Sequence, residues 1–223
     1  MMKKVLAVLS IAAMASTAMA TIVNVDFNND HGFAYSGQGA YADPGNNVWN
    51  QVDGTGATLS GNTDLVASDG SLTSIDVAAY YTGRHARINY TNQLLRDGIV
   101  GVGDITISGL DDSSTYDLTF YSTFDAFAAT FTTDGQSAGV SGSPNSAPYQ
   151  ENFVLGETYV TLYGVRTNGA GAIVVTVSNT YTGATGGTSA TFVSGLQIAE
   201  VPEPATLTLL GFGMTMLMRR RKA

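Results

Sequence analysis

Apolar and polar residues alternate in short runs along the middle of the chain, and glycine, serine, threonine and asparagine separate these runs. Alternation with a period of two predicts strands that bury one face. The clearest predicted strands are 22–27, 74–80, 104–110, 115–123, 129–133, 158–165, 172–178 and 190–199. Many short strands bounded by turn residues predict an all-β sandwich or barrel.

The strand at 115–123 shows the alternation most clearly. Tyr116, Leu118 and Phe120 share one face, whereas Asp117 and Thr119 lie on the other, so one buried side is expected. Two further strands repeat the pattern with Ile173, Val175, Val177, Phe192, Leu196 and Ile198. Two sheets that face each other would bury all three apolar stripes together.

One short helix is predicted at 92–98. Asn92 can cap its N-terminus, Leu94 and Leu95 form an apolar face, and Gly98 suits its end. We expect this helix to close one end of the sandwich with both leucines inward. The longest stretches without a clear pattern are predicted to be loops: 37–63 and 134–146.

The first residues have the composition of a secretory signal peptide. Two lysines precede the apolar stretch 5–15. Ala18 and Ala20 then supply the small residues that signal peptidase requires at its cleavage site. We therefore expect cleavage between Ala20 and Thr21 after export.

The last residues combine prolines, an apolar stretch and a basic end. Residues 205–218 carry no charge and would form about 21 Å of helix, against roughly 30 Å for the apolar core of a bilayer. A transmembrane helix here would therefore be short. The excess of positive charge places the basic end in the cytoplasm and everything before Val201 outside it.

This arrangement resembles the PEP-CTERM sorting signal of Gram-negative bacteria that make exopolysaccharide. The resemblance rests on three parts in order, namely Pro202, Glu203 and Pro204, then the apolar run, then Arg219, Arg220 and Arg221. The family implies recognition by an exosortase, a membrane protease that removes the tail and releases or transfers the protein to the cell surface. A plain C-terminal membrane anchor is the alternative interpretation.

The sequence thus predicts a signal peptide at 1–20, a β-sandwich domain at 21–200 and a sorting signal with a short transmembrane helix at 201–223. The middle segment has four arginines and no lysine against 14 aspartates and three glutamates, a formal net charge of −13. This acidic balance argues against nucleic acid and anionic lipid as partners, since both favour basic patches. With no cysteine in the chain, packing must stabilise the domain without disulfides.

The middle segment also resembles the exported jelly-roll domains that proteins with this tail often carry. The similar pieces are 23–27, 48–50, 109–110, 116–121 and 195–198. In architecture it is similar to galactose-binding-like domains and carbohydrate-binding modules. The resemblance implies a single jelly-roll sandwich flanked by an N-terminal signal helix and a C-terminal hydrophobic helix.

Catalytic motifs are weak in this sequence, and we assign no catalytic residue. Gly135, Ser137 and Gly139 fit the nucleophile-elbow pattern, but both histidines, His31 and His85, precede Ser137. We therefore expect a loop there. A glycosidase or lyase would need carboxylates paired across a substrate, which the many aspartates allow on paper. A polysaccharide-active enzyme is thus the alternative function.

Structural calcium is the one cofactor that the sequence suggests. Asp26, Asn28 and Asp30 place oxygen side chains at alternate positions, as at the start of an EF-hand loop. The pattern then stops, because His31 replaces the glycine and Gly37 replaces the bidentate glutamate. Turn residues that bond their own backbone explain the same side chains.

Aromatic side chains are candidates for sugar binding, because a pyranose ring stacks on a flat side chain while polar neighbours bond its hydroxyls. The candidates are Tyr35, Tyr41, Trp49, Tyr80 and Tyr81. Tyr80 and Tyr81 are adjacent, so one of them must face outward in a strand, and Trp49 also fits a core anchor. We therefore predict an exported surface or matrix protein that associates with exopolysaccharide, as a structural or weakly carbohydrate-binding component.

Overall fold

The computed structural model describes residues 20–27, 35–41, 47–52, 58–62, 64–86, 92–122, 129–141, 152–179 and 191–201. The first unit, Thr21–Val201, is compact and contains nearly all of the described residues. The predicted signal helix and C-terminal helix fall outside the described residues. Within the described ranges, no helix has the length and apolar character needed to cross a membrane.

The described part of the first unit is almost entirely β-structure. Its strands are β1 (Ile22–Asp26), β2 (Trp49–Gln51), β3 (Thr58–Asn62), β4 (Asp76–Tyr80), β5 (Gly83–Ala86), β6 (Asp97–Val100), β7 (Asp104–Ser108), β8 (Thr115–Tyr121), β9 (Ala129–Thr133), β10 (Gln136–Val140), β11 (Tyr159–Arg166), β12 (Ile173–Ser178), β13 (Phe192–Val193) and β14 (Gly195–Val201). One short helix, α1 (Gln93–Arg96), precedes β6.

The strands form two large sheets and a small one. The five-stranded sheet has the order β11-β8-β14-β1-β2, and the six-stranded sheet has the order β10-β9-β12-β7-β4-β3. A separate three-stranded sheet contains β13, β6 and β5. The two large sheets pack face to face, so the predicted all-β sandwich is confirmed.

Eight of these strands have jelly-roll connectivity. Strands β1, β14, β8 and β11 are neighbours in one sheet, and β7, β12, β9 and β10 are neighbours in the other. Followed along the chain, the eight alternate between the sheets except at β9 and β10, which form a hairpin within one sheet, in the manner of two Greek keys. The remaining strands extend the sheet edges or form the small sheet.

The main core lies between the large sheets. Leu118 of β8 pairs with Ile198 of β14 on the inner face of the five-stranded sheet. Phe120 stacks on Phe131 of the opposite sheet, with ring centroids 4.3 Å apart and planes 12° apart. The three predicted apolar stripes are all buried. Phe192, in the small sheet, is buried outside the main core cluster.

The outer face of β8 is also partly buried, which the alternation did not predict. Thr119 and Tyr121 are both 0% exposed. The segment 35–41 crosses this face, where the Ala40 amide donates a hydrogen bond of 2.6 Å to the Tyr121 hydroxyl. This segment and α1 therefore add a partial third layer to the sandwich.

The predicted helix is present but shorter than expected. Asn92 caps it by accepting a hydrogen bond of 3.1 Å from the Leu94 amide, and Leu94 and Leu95 are buried as predicted. The prediction that Gly98 ends the helix is wrong, because β6 begins at Asp97. Gly98 is needed for packing instead, since a Cβ there would lie 2.9 Å from the Ser194 Cα.

Both stretches predicted to be loops contain strands, which corrects the prediction for 37–63 and 134–146. Strand β2 runs parallel to β1 and β3 pairs with β4. Strand β10 pairs with β9 through a two-residue turn in which Asp134 and Gly135 have φ of 46° and 72°. Positive φ at both central residues is typical of a type I′ hairpin turn, and the glycine content hid this strand from the sequence pattern.

Candidate functional site

The segment 35–41 brings predicted aromatic residues onto the outer face of the five-stranded sheet. The Tyr41 amide donates a hydrogen bond of 3.1 Å to Oε1 of Gln197 in β14. The Tyr35 hydroxyl donates a hydrogen bond of 2.7 Å to the Gln38 carbonyl within the segment. Tyr35, Tyr41 and Trp49 therefore lie in one region, although the sequence separates them.

Trp49 is the centre of a small aromatic cluster. Its ring meets Tyr35 edge-on with centroids 5.0 Å apart and Tyr121 with centroids 6.1 Å apart. The indole N–H donates a hydrogen bond of 2.9 Å to the Gly37 carbonyl. Only 8% of Trp49 is exposed, so its ring acts as an anchor for the segment 35–41 and has no open face for a sugar.

A buried polar network lies beside this cluster. Gln197 donates from Nε2 to Oδ1 of Asn24 at 2.8 Å, and its Oε1 accepts a hydrogen bond from the Tyr121 hydroxyl. Burial raises the pKa of Tyr121 well above its usual range, so the phenol remains a neutral donor. Gly39 passes so close that a Cβ there would overlap the Gln197 amide. The network therefore fixes the segment 35–41, which we call the covering segment, against the sheet.

Tyr41 and Asp117, which are half-buried, and the exposed Tyr163 form a patch on this face, which we call the tyrosine surface. The Tyr41 hydroxyl donates to Oδ2 of Asp117 at 3.3 Å, and the Gly164 amide donates to Oδ1 of the same carboxylate at 2.8 Å. The Tyr163 side chain is 65% exposed at an irregularity in the β8–β11 register. A flat ring can stack on a sugar, and a carboxylate next to it can accept hydrogen bonds from the sugar hydroxyl groups.

Electrostatics is consistent with this arrangement of the tyrosine surface. Burial, and then the charge of Asp117, raise the pKa of Tyr41, with a smaller contribution from Tyr163. The Tyr41 hydroxyl therefore remains protonated and donates to the carboxylate at neutral pH. The sequence predictions included Tyr41 but missed Asp117 and Tyr163. The one sequence feature that points to these two residues is Gly164, which interrupts the alternation of β11.

Tyr80 and Tyr81 lie on the other large sheet. Tyr80 is 53% exposed and Tyr81 is 1% exposed, so one of the two faces outward as predicted. Tyr80 ends β4, whereas the tyrosine surface belongs to β8, β11 and the segment 35–41. Tyr80 is thus an exposed aromatic residue on a different sheet.

Of the predicted calcium ligands, only Asp26 lies in the described ranges, since Asn28 and Asp30 fall outside them. Asp26 is 0% exposed, and its Oδ2 accepts a hydrogen bond of 3.0 Å from the Tyr35 amide. In the part of the chain that the structure describes, no three acidic or histidine side chains are grouped to hold a metal ion. Asp26 thus fixes the start of the covering segment through its hydrogen bond with the Tyr35 amide.

Ser137, the residue of the elbow-like motif, lies on the hairpin strand β10. Its hydroxyl is 3.1 Å from the hydroxyl of Thr132 on β9. A nucleophile elbow requires a turn between a strand and a helix, and here two strands flank the turn. The geometry therefore gives Ser137 a cross-strand structural contact.

The two ends of the first unit lie next to each other at one end of the sheet. The Glu200 amide of β14 donates a hydrogen bond of 2.9 Å to the Thr21 carbonyl. Ala18, Pro202, Glu203, Pro204, Arg219, Arg220 and Arg221 lie outside the described residues. The folded unit therefore starts and ends on adjacent strands.

Taken together, these features define an all-β jelly-roll sandwich with a covered outer face. Residues 200–222 match the family model of the PEP-CTERM protein-sorting motif. The chain thus carries the PEP-CTERM sorting signal that the sequence predicted, and this motif implies a protein that is exported and sorted to the cell surface. No curated protein matches the sequence significantly.

Some solved structures share a distant likeness with the chain. A calcium binding mutant of Bacteroides uniformis beta-glucuronidase 2 has 12% sequence identity and a TM-score of 0.42, covering 83% of this chain and 18% of that one. Another Bacteroides uniformis beta-glucuronidase has 11% identity and a TM-score of 0.36 over 56% of this chain and 14% of its own. The chain spans less than a fifth of these enzymes, and likeness at this level carries no functional argument.

Proposed function

We propose that this chain is a surface or matrix protein sorted by an exosortase, whose jelly-roll body associates with exopolysaccharide. In this role it is a structural or weakly carbohydrate-binding component. The sorting motif at residues 200–222 is the observation that carries the proposal. The acidic, lysine-free body is consistent with it, because such a surface suits neutral polysaccharide better than nucleic acid.

In the proposed route, signal peptidase cuts after Ala20 and leaves a precursor in the inner membrane that faces the periplasm. Exosortase then removes the tail, and the body reaches the cell surface or matrix. Mass spectrometry of the protein from its own host tests this route. We expect a mature chain that begins at Thr21 and lacks Arg221, and a mature chain that retains Arg221 would contradict the proposal.

The tyrosine surface supports the carbohydrate part of the proposal, because it combines an exposed ring with a carboxylate. Co-sedimentation with exopolysaccharide from the host tests this part. We expect Tyr163→Ala to reduce the bound fraction several-fold, whereas Tyr80→Ala, which removes an exposed tyrosine from the other sheet, should leave it unchanged. Equal binding by both variants and the unmodified protein would exclude the tyrosine surface.

A polysaccharide-active enzyme is the alternative function. The co-sedimentation mixtures distinguish the two, because an enzyme would release shorter saccharides with time and a binding protein would not. Chromatography of the soluble fraction provides the measurement. Product release that scales with protein concentration would favour the enzyme over the structural role.

A further inference from the structure

A cleft opens at the end of the sandwich where β1 begins and β14 ends. It has a volume of about 380 Å³ and lies between the two large sheets. Its residues include Thr21, Leu72, Asp111, Tyr116 and Glu200, and we call it the end cleft. Ligand pockets in proteins commonly measure roughly 300–1,000 Å³, so the end cleft is large enough for a small polar ligand.

One wall of the end cleft is fixed by hydrogen bonds between loops at the end of the six-stranded sheet. The Ser74 hydroxyl donates to the Gly109 carbonyl at 2.8 Å, and the Leu110 amide donates to the Gly171 carbonyl at 3.0 Å. Gly109 has a φ of 75°, and a Cβ there would overlap the Ser74 carbonyl. The cleft is therefore preformed, which reduces the entropy lost on binding a ligand.

The polar groups of the end cleft are mostly hydrogen-bond acceptors and hydroxyls. Ser114 donates to Oε1 of Glu200 at 2.6 Å, and Ser113 donates to Oδ1 of Asp111 from its amide at 2.9 Å. Hydrogen bonds from Ser113 also hold the pKa of Asp111 below its usual value, so this carboxylate is charged at neutral pH. Among described residues, no donor bonds the second oxygen of either carboxylate.

Apolar surface is available beside these acceptors. Leu72 is 83% exposed and lines the cleft, and the buried ring of Tyr116 forms part of its floor. A single exposed leucine is ordinary on a protein surface, but this one borders a polar cleft. The combination is suited to a ligand with one apolar face and several hydroxyl groups at its edge.

We propose that the end cleft binds one uncharged sugar residue of a polysaccharide. The C–H face of the sugar ring packs on Leu72, and its hydroxyl groups donate to Asp111 and Glu200. Two carboxylates in one cleft repel an anionic ligand, so a uronic acid residue is selected against. This inference rests on the proposed association with polysaccharide and adds to it a second, more selective site.

Isothermal titration of the full-length protein in detergent with soluble tetrasaccharides tests the inference. The probes are cellotetraose, laminaritetraose, maltotetraose and mannotetraose, with tetragalacturonic acid as the anionic probe. We expect saturable binding of at least one neutral probe and at least about tenfold weaker binding of the anionic one, which is about 1.4 kcal/mol. Leu72→Ser and Glu200→Gln should each reduce the affinity for the neutral probe by about tenfold or more.

Leu155→Ser is the matched control, because Leu155 is also a largely exposed leucine, at 64%, and does not line the cleft. It should bind like the unmodified protein. The inference is overturned if no neutral probe binds, if Leu72→Ser and Leu155→Ser bind equally well, or if the anionic probe binds as tightly. If Leu72→Ser still co-sedimented with host exopolysaccharide, the proposed function would be retained although the end cleft was excluded as a binding site.

Discussion

Nε2 of Gln197 lies 2.8 Å from Oδ1 of Asn24, and this buried contact joins β14 to β1 on the outer face of the sheet. The same amide accepts hydrogen bonds from the Tyr121 hydroxyl and from the Tyr41 amide. Gln197 therefore connects two strands and the covering segment at a single point. The tyrosine surface depends on it, because Tyr41 is held in place through this contact.

Replacing Gln197 with alanine should destabilise the fold. The change removes the acceptor of the buried Tyr121 hydroxyl proton and the donor to Oδ1 of Asn24, which costs about 1–3 kcal/mol per unsatisfied group. Urea unfolding measures the loss. Gln136→Ala is the control, because Gln136 makes an exposed hydrogen bond of 2.9 Å to the Tyr163 carbonyl. A similar loss in both variants would show that the Gln197 network has no special role.

Replacing Gly39 with alanine should loosen the covering segment. The added Cβ would overlap the Gln197 side chain, so the segment or the glutamine must shift. We expect a cost of about 1–3 kcal/mol, measured as a lower urea midpoint. Gly83→Ala is the matched control, because a Cβ at Gly83 would meet no atom within 4 Å. Equal midpoints for the two variants would contradict the packing described for Gly39.

Replacing Trp49 with alanine should reduce stability by about 3–5 kcal/mol, as for other large residues removed from cores. Trp49 is the only tryptophan, so its emission reports on the small cluster alone. We expect blue-shifted emission that acrylamide quenches weakly until the protein unfolds. Tyr80→Ala should change stability by less than about 0.5 kcal/mol, since Tyr80 is largely exposed. Strong quenching of the folded protein would place the indole in solvent.

The stability of the fold should fall in alkaline solution. Burial raises the pKa of Tyr121 above its usual value of 10.0, and Tyr35, Tyr41 and Tyr116 shift in the same direction. The unfolded chain loses these protons first, so their contribution is fully present below about pH 10 and is lost as the pH rises further. Melting temperatures and tyrosinate absorbance measured along the same titration check this.

Tyr121→Phe tests the assignment of that pH dependence to a particular residue. The variant should be less stable at neutral pH, because Gln197 and the Ala40 amide lose a partner. Its stability should nevertheless fall less steeply above pH 10 than that of the unmodified protein. Parallel curves for the two proteins would exclude Tyr121 as a source of the alkaline loss.

The sequence predicted well which segments form strands and which side chains face the core between the two large sheets. The alternation of Tyr116, Leu118 and Phe120 reports burial on one face directly, and a strand was found wherever such alternation occurred. Asn92, Leu94 and Leu95 likewise indicated the helix, because capping and an apolar face act over a few residues. Local patterns of this kind survive in the structure because tertiary packing reinforces them.

The burial of the outer face of the five-stranded sheet could not be predicted in the same way. Thr119 and Gln197 look like solvent-facing residues in the sequence, yet both are buried. Gln197 is covered by the segment 35–41, which comes from far away in the chain. The tyrosine surface and the end cleft have the same origin. Each combines residues from several strands, and strand order is not encoded in the period of any one strand.

Strand β14 lies between β1 and β8 although it is the strand nearest to the sorting motif. A chain that emerges amino end first therefore leaves one edge of β1 without hydrogen-bonding partners until residues 195–201 arrive. The sheet is completed only when the motif itself is about to become accessible. Proteolytic release at that motif would then act on finished domains, and chains interrupted before residue 195 would keep two open strand edges prone to aggregation.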